Sequence, residues 1–114
     1  MSEVISTKGD VYSFGVILLE MITGSSPTDE KINNGTSLYE HVARAFPKNT
    51  YEIVDPRMLQ GEMNITTVMQ NCIIPLVRIG LCCSAASPKD RWEMGQVSAE
   101  ILKIKHIFSS IHGV

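Results

Sequence analysis

The sequence predicts an all-α fold of about four to five helices around a central apolar helix near residues 8–24. Three observations predict it. Capping-box spellings stand ahead of apolar runs, the apolar residues follow helical spacing, and no segment alternates convincingly with the period of two that marks a strand. The 114 residues allow one domain, spanning 1–114. A globule of this size buries roughly two-thirds of the surface its extended chain exposes, so a real core is within reach.

The first helix is marked at both ends. Thr7-Lys8-Gly9-Asp10 is a capping box: the Thr7 hydroxyl accepts from the Asp10 amide, and the Asp10 carboxylate answers the Thr7 amide. Gly24 supplies a left-handed stop, and Pro27 follows. Between them, Val11, Tyr12, Phe14, Val16, Ile17, Leu18, Leu19, Met21 and Ile22 cover nearly the whole circumference at 100° per residue. A helix apolar all round is expected to be surrounded by protein, more of it than five short helices can supply, so part of it is expected to stay uncovered in this chain.

After a loop with an Asn34-Gly35 turn, Ser37-Leu38-Tyr39-Glu40 is a second capping box. It opens a short helix to about Phe46, with Leu38, Val42, Ala45 and Phe46 on one face and Pro47 beyond. Tyr51 to Pro56 reads as an irregular link in which Asp55 caps a turn opened by Pro56. Thr66 or Thr67 is the expected cap of a third helix, from about Val68 to Ala85, and Pro75 inside it demands a kink or a fresh start. Its apolar side is Met69, Cys72, Ile73, Leu76, Val77, Gly80 and Cys83. Ser87-Pro88 breaks the chain. The last helix, about Glu93 to Ser110, carries Met94, Val97, Ile101, Ile104, Phe108 and Ile111 at alternating spacings of three and four. Such a seam suits a coiled coil or a terminal helix docking on its own core; fewer than three heptads favour the second.

Composition excludes several classes. With 44% hydrophobic and 19% charged residues the chain is no disordered tail. Ten Lys and Arg against 12 Asp and Glu give a net charge of −2 without a basic run, so no nucleic-acid partner is expected. The opening Met-Ser-Glu-Val-Ile-Ser-Thr-Lys puts an acid where an export signal carries cations. The longest apolar run, Val16 to Leu19 extended by Met21 and Ile22, is far short of the ~20 residues of a bilayer span, so no membrane span is expected. Cys72, Cys82 and Cys83 form no Cys-x-x-Cys pair and leave an odd count, which argues for buried free thiols over a disulfide framework or a metal site. Asn-x-Thr sequons at Asn34 and Asn64 carry little weight without secretion.

Specific segments go further. Lys8-Gly9-Asp10-Val11-Tyr12-Ser13-Phe14-Gly15-Val16, running to Leu19-Glu20 and closing at Thr23-Gly24, resembles the central helix of the C-terminal lobe of a protein kinase. In order follow Ile53-Val54-Asp55-Pro56-Arg57, Gly80-Leu81-Cys82-Cys83-Ser84 and Ser87-Pro88-Lys89-Asp90-Arg91, which resemble plant receptor-like serine/threonine kinases with leucine-rich-repeat ectodomains. The resemblance covers Met1 to about Phe108 and implies a partial kinase domain, the helical part after the activation segment, with Met1 internal to a longer kinase. Trp92 departs from it, since proline is usual there.

The catalytic set is not in these residues. A kinase needs a Gly-rich phosphate cover, a strand lysine, a His-Arg-Asp loop, an Asp-Phe-Gly metal site and an Ala-Pro-Glu anchor. The eight glycines form no Gly-x-Gly pair, and His41, His106 and His112 are never followed by Arg-Asp. Ser13-Phe14-Gly15 echoes the metal motif without its carboxylate. No catalytic, cofactor-binding or metal-binding residue is therefore assigned, and no phosphoryl transfer is expected; ATP and magnesium belong to the family's other residues.

The resemblance implies structural roles instead. Asp10 matches the aspartate that holds the catalytic-loop backbone, with completion of the helix cap as its alternative. Arg91 matches the arginine that pairs with the anchor glutamate; lacking it, Arg91 is expected to turn to solvent or to borrow another acid. Ile17 and Met21 match the support of the nucleotide-side hydrophobic stack and are equally ordinary core residues. Glu20 matches an acid that faces the peptide groove in some kinases, or is simply solvated. Three functions fit: a kinase part without chemistry of its own, an interaction module or decoy binding the kinase domains of related receptors, or an independent helical regulator. The resemblance implies a cytoplasmic location, beneath the plasma membrane for the parent family.

Overall fold

The computed structural model describes residues 7–25 and 37–113. Pro27 and the Asn34-Gly35 turn lie outside the described residues. Helix α1 spans Lys8–Thr23 and begins as its spelling requires. Asp10 N donates to Thr7 Oγ1 at 3.1 Å, and Thr7 N donates to Asp10 Oδ2 at 3.0 Å. It stops at Gly24, left-handed at φ 69°, whose amide donates to the Glu20 carbonyl at 2.8 Å. A side chain there would also run into the Asp55 carboxylate.

Helix α2, Leu38–Ala45, is closed by the reciprocal Ser37–Glu40 box and buries Leu38 and Val42, with Ala45 and Phe46 half-buried. The link after it holds two 3-10 turns, Thr50–Ile53 and Pro56–Leu59. Asp55 caps the second, as expected: its carboxylate accepts from Arg57 N at 3.0 Å and pairs with the Arg57 guanidinium at 2.6 Å. That hydrogen bond and charge hold the Asp55 carboxyl below the usual carboxylate range. The Asp55 amide in turn donates to the Ile22 carbonyl at 2.8 Å, pinning the link to the end of α1.

The third helix starts earlier than Thr66 or Thr67 would place it. Asn64 is the cap, its Oδ1 accepting from Thr67 N at 3.1 Å, because asparagine caps at least as well as threonine and Thr67 is then the third helical residue. Helix α3 (Ile65–Val68) runs through a π turn (Met69–Ile73) into α4 (Ile74–Cys83), two residues short of Ala85. Ile74 N donates to Met69 O, a widened turn just ahead of Pro75, which has no amide to give the Asn71 carbonyl. Pro75 thus opens a fresh helical segment without severing the rod. Against the expectation of no span, the 19-residue rod Ile65–Cys83 is long and apolar enough to cross a bilayer by length and composition, its apolar residues being interrupted by Thr66, Thr67, Gln70, Asn71 and Arg78. Val68, Met69, Cys72, Ile73, Val77, Ile79, Gly80 and Cys83 are buried, and the rod packs against α1.

Helix α5, Met94–His112, buries Val97 and Ile104 and half-buries Met94, Ile101 and Ile111. Its seam docks on the π turn and α4, while Phe108 stays 41% exposed. No strand occurs among the described residues. The principal interface is α1 across α4, and the Cα envelope measures 42 × 40 × 20 Å, two helix diameters thick. At the crossing, a Cβ on Gly15 would lie 2.7 Å from Cys83 Cβ and 2.9 Å from the Gly80 carbonyl. One on Gly80 would lie 2.5 Å from Leu19 Cδ2. The missing side chains let the two backbones close up, and dispersion gains follow from that density.

Candidate functional site

The crossing sorts the circumference of α1 into two sides. Val11, Leu19 and Ile22 are each 1% exposed, and Gly15 is buried with them. On the side turned away lie Asp10, Phe14, Ile17 and Met21, at spacings of four, three and four that stack them along one face. Ile17 is 54% and Met21 64% exposed, and Phe14 is half-buried. The helix that is apolar all round is covered by its own neighbours on one side only: that side is sealed and the other is an open apolar stripe.

Four of the residues singled out by sequence share that outer side. Asp10 stands at its N-terminal end with its carboxylate engaged in the cap. Ile17 and Met21 form its middle and far end, and the half-buried Glu20 lies beside them at the helix stop. Arg91 is elsewhere. It sits against Tyr12, with its guanidinium carbon 4.7 Å from the ring centroid.

Arg91 neither turns to solvent nor borrows an acid. Its Nε donates to the Ala85 carbonyl at 2.7 Å, Nη2 to Ala86 at 3.1 Å and Nη1 to Lys8 at 3.2 Å. Lys8 Nζ returns a bond to the Arg91 carbonyl at 2.6 Å and pairs with Glu93 at 3.3 Å. A planar guanidinium spreads its charge over five donors, so three carbonyl dipoles and a ring face satisfy it without a full counter-charge. The result is a clasp between the start of α1 and the turn before α5. Sequence reasoning missed it because backbone carbonyls leave no trace in residue identity. Trp92, the departure from the kinase pattern, is built in: its amide donates to the Cys82 carbonyl at 3.2 Å and its ring lies under Arg78 at 5.2 Å.

The three thiols lack the environment of an activated nucleophile. Cys72 and Cys83 are buried and Cys82 is half-buried, all three free. Burial pushes all three up, Cys83 to about 11, the opposite of an activated thiolate. Among the described residues, no three His, Cys, Asp or Glu side chains gather as a metal site would require.

An all-helical slab built on a central helix with these motifs in this order defines a kinase-type C-terminal lobe. The family model for protein tyrosine and serine/threonine kinases matches residues 1–101, and the chain belongs to that family. Its relatives include plant leucine-rich-repeat receptor-like serine/threonine kinases. A probable LRR receptor-like serine/threonine-protein kinase of Arabidopsis thaliana is 34% identical over 103 residues, covering 90% of this chain and 10% of the relative. The receptor kinase-like protein Xa21 of Oryza sativa subsp. japonica is 30% identical over 122 residues, covering 100% of this chain and 12% of its own length. A probable inactive receptor kinase of Arabidopsis thaliana is 35% identical over 96 residues, 82% of this chain and 14% of the relative. The chain thus spans about a tenth of the length of these relatives.

Proposed function

We propose that this chain is the helical base of a receptor-like serine/threonine protein kinase domain, and that its 114 residues perform no phosphoryl transfer by themselves. The observation that carries the reading is the two-sided α1, whose outer stripe leaves Ile17 54% and Met21 64% exposed. Large side chains stacked in one exposed stripe mark a surface made to be covered. In this reading the stripe rests against the remainder of a kinase domain, and ATP, magnesium and the protein substrate are handled there. The absence of His-Arg-Asp, Asp-Phe-Gly and Gly-rich signatures from these residues supports the non-catalytic half of the reading. A cytoplasmic setting follows from the same assignment, and it gives these 114 residues no nucleic acid or metal to bind.

The same stripe favours a second reading, in which the chain acts in trans as a decoy on the kinase domains of related receptors. One pair of experiments tests both. Incubation with ATP and a generic protein substrate is expected to give no turnover above an Asp10→Ala control; turnover well above that control overturns the proposal. Pull-down with a receptor kinase's intracellular domain is expected to retain the chain if it acts in trans, and to lose it when Ile17 and Met21 are both replaced by Asp. No enrichment over an unrelated helical protein ends the decoy reading.

A further inference from the structure

The C-terminal turn of α5 is fastened by a histidine whose two ring nitrogens both face oxygen. His112 Nε2 lies 2.8 Å from Glu62 Oε1, and Nδ1 lies 2.8 Å from the Phe108 carbonyl. A carbonyl and a carboxylate only accept, and a neutral imidazole carries one N–H. Both contacts are hydrogen bonds only when the ring carries two protons. The Phe108 ring, 4.0 Å away between centroids, adds a π face beside the charge.

The contact bridges two parts of the chain 50 residues apart. Glu62 follows the 3-10 turn Pro56–Leu59 and borders an apolar cleft of about 340 Å³, lined among others by Met58, Cys72, Leu76, Ile101 and Phe108. The other titratable groups at this place are few. Cys72 of the π turn senses the Glu62 charge, Lys105 of α5 lines the same cleft, and Arg57 of the 3-10 turn is committed to Asp55. None of them supplies a competing partner within hydrogen-bond distance of the ring among the described residues.

We propose that Glu62, His112 and the Phe108 carbonyl form a proton-dependent clasp, which fastens the last turn of α5 beside the cleft and releases it when the imidazole loses a proton. The Phe108 and Glu62 acceptors hold the His112 pKa above its ordinary value of 6.5, which agrees with this geometry. Release leaves one acceptor facing a lone pair, so the turn frays and Phe108 swings free of the cleft.

Proton NMR of the full chain, followed across neutral pH with amide exchange of residues 108–113, tests this. His112 is expected to titrate above 6.5, and Glu62→Gln is expected to lower that midpoint. Exchange at the last turn, corrected for its intrinsic pH dependence, is expected to rise about two- to fivefold through the titration, the range an exposed ion pair supports. His112→Gln is expected to abolish that step while circular dichroism keeps its helical signal. A His112 midpoint at or below 6.5, an unchanged midpoint in Glu62→Gln, or the same exchange step in His112→Gln would overturn the clasp.

Discussion

The two sides of α1 bear side chains of the same kind and have opposite fates. Leu19 is 1% exposed, and Ile17, two residues earlier and equally apolar, is 54% exposed. Hydrophobicity does not separate them; Gly15 and Gly80 do. Only where both helices lack a Cβ can the backbones approach, and the side chains flanking that approach are the ones that become buried. The comparison teaches that a helix apolar all round needs a steric feature to choose its inner face. The face left over is then available to another body.

Substitutions can break this contrast. Leu19→Ala is expected to destabilise most, by about 2–5 kcal/mol, because the cavity at the crossing cannot collapse against two backbones already in contact. The urea midpoint measures it. Ile17→Ala, removing the same kind of side chain from the open side, is expected to stay within about 0.5 kcal/mol. If both variants lose equal stability, the two-sided description fails.

Gly15→Ala comes next, and here two effects compete. Alanine favours the helix by about 1 kcal/mol over glycine, whereas overpacking costs about 1–3 kcal/mol. The new Cβ would press on the Gly80 carbonyl and on Cys83 Cβ, neither of which is a flexible side-chain end, so net destabilisation is expected. Gly80→Ala would press on Leu19 Cδ2 and Cγ, at 2.5 and 2.9 Å, rather than on backbone, and is expected to cost less than Gly15→Ala only as far as the buried Leu19 side chain can shift. A Gly80→Ala penalty larger than that of Gly15→Ala would show that Leu19 cannot yield.

Arg91→Lys sharpens the contrast between the glycine contact and the carbonyl clasp. A lysine has no planar fork to reach Ala85, Ala86 and Lys8 together, so a loss of about 1–2 kcal/mol is expected, read from the thermal midpoint. Smaller still is the reactivity of the sealed side. With its thiol held at about 11 by burial, Cys83 is expected to resist alkylation at pH 8 until the chain unfolds.

The smallest effect concerns pH. The His112 pKa is raised, first by the Phe108 carbonyl and then by Glu62, so its stabilisation is complete below the unfolded value of 6.5. It is lost as pH rises through the folded value, and stability should decline slightly over that window. Glu62→Gln is expected to flatten the decline, measured by urea unfolding at several pH values.

Much of this architecture was legible before any coordinates. The caps at Thr7 and Ser37, the stop at Gly24 and the Asp55 turn all rest on bonds between residues two to four apart, which spelling alone fixes. Asn64, Thr66 and Thr67 can all cap by residue type, and only the geometry of the chain entering the helix selects Asn64. Membership of the kinase family was legible too, since its motifs are short and ordered. Asp10, Ile17, Met21 and Glu20 lie on one side of α1, and in the proposed reading what rests on that side is the remainder of a kinase domain.

What the sequence determined by itself is local: where helices begin, where they stop, and that each must bury apolar surface. Tertiary structure alone decided which side of α1 is sealed, that Arg91 rests on carbonyls, and that His112 reaches across 50 residues to Glu62. The physical reason is range. Caps and turns are hydrogen bonds within one helical turn, whereas the inner face, the clasps and the cleft depend on where separate helices come to rest against one another.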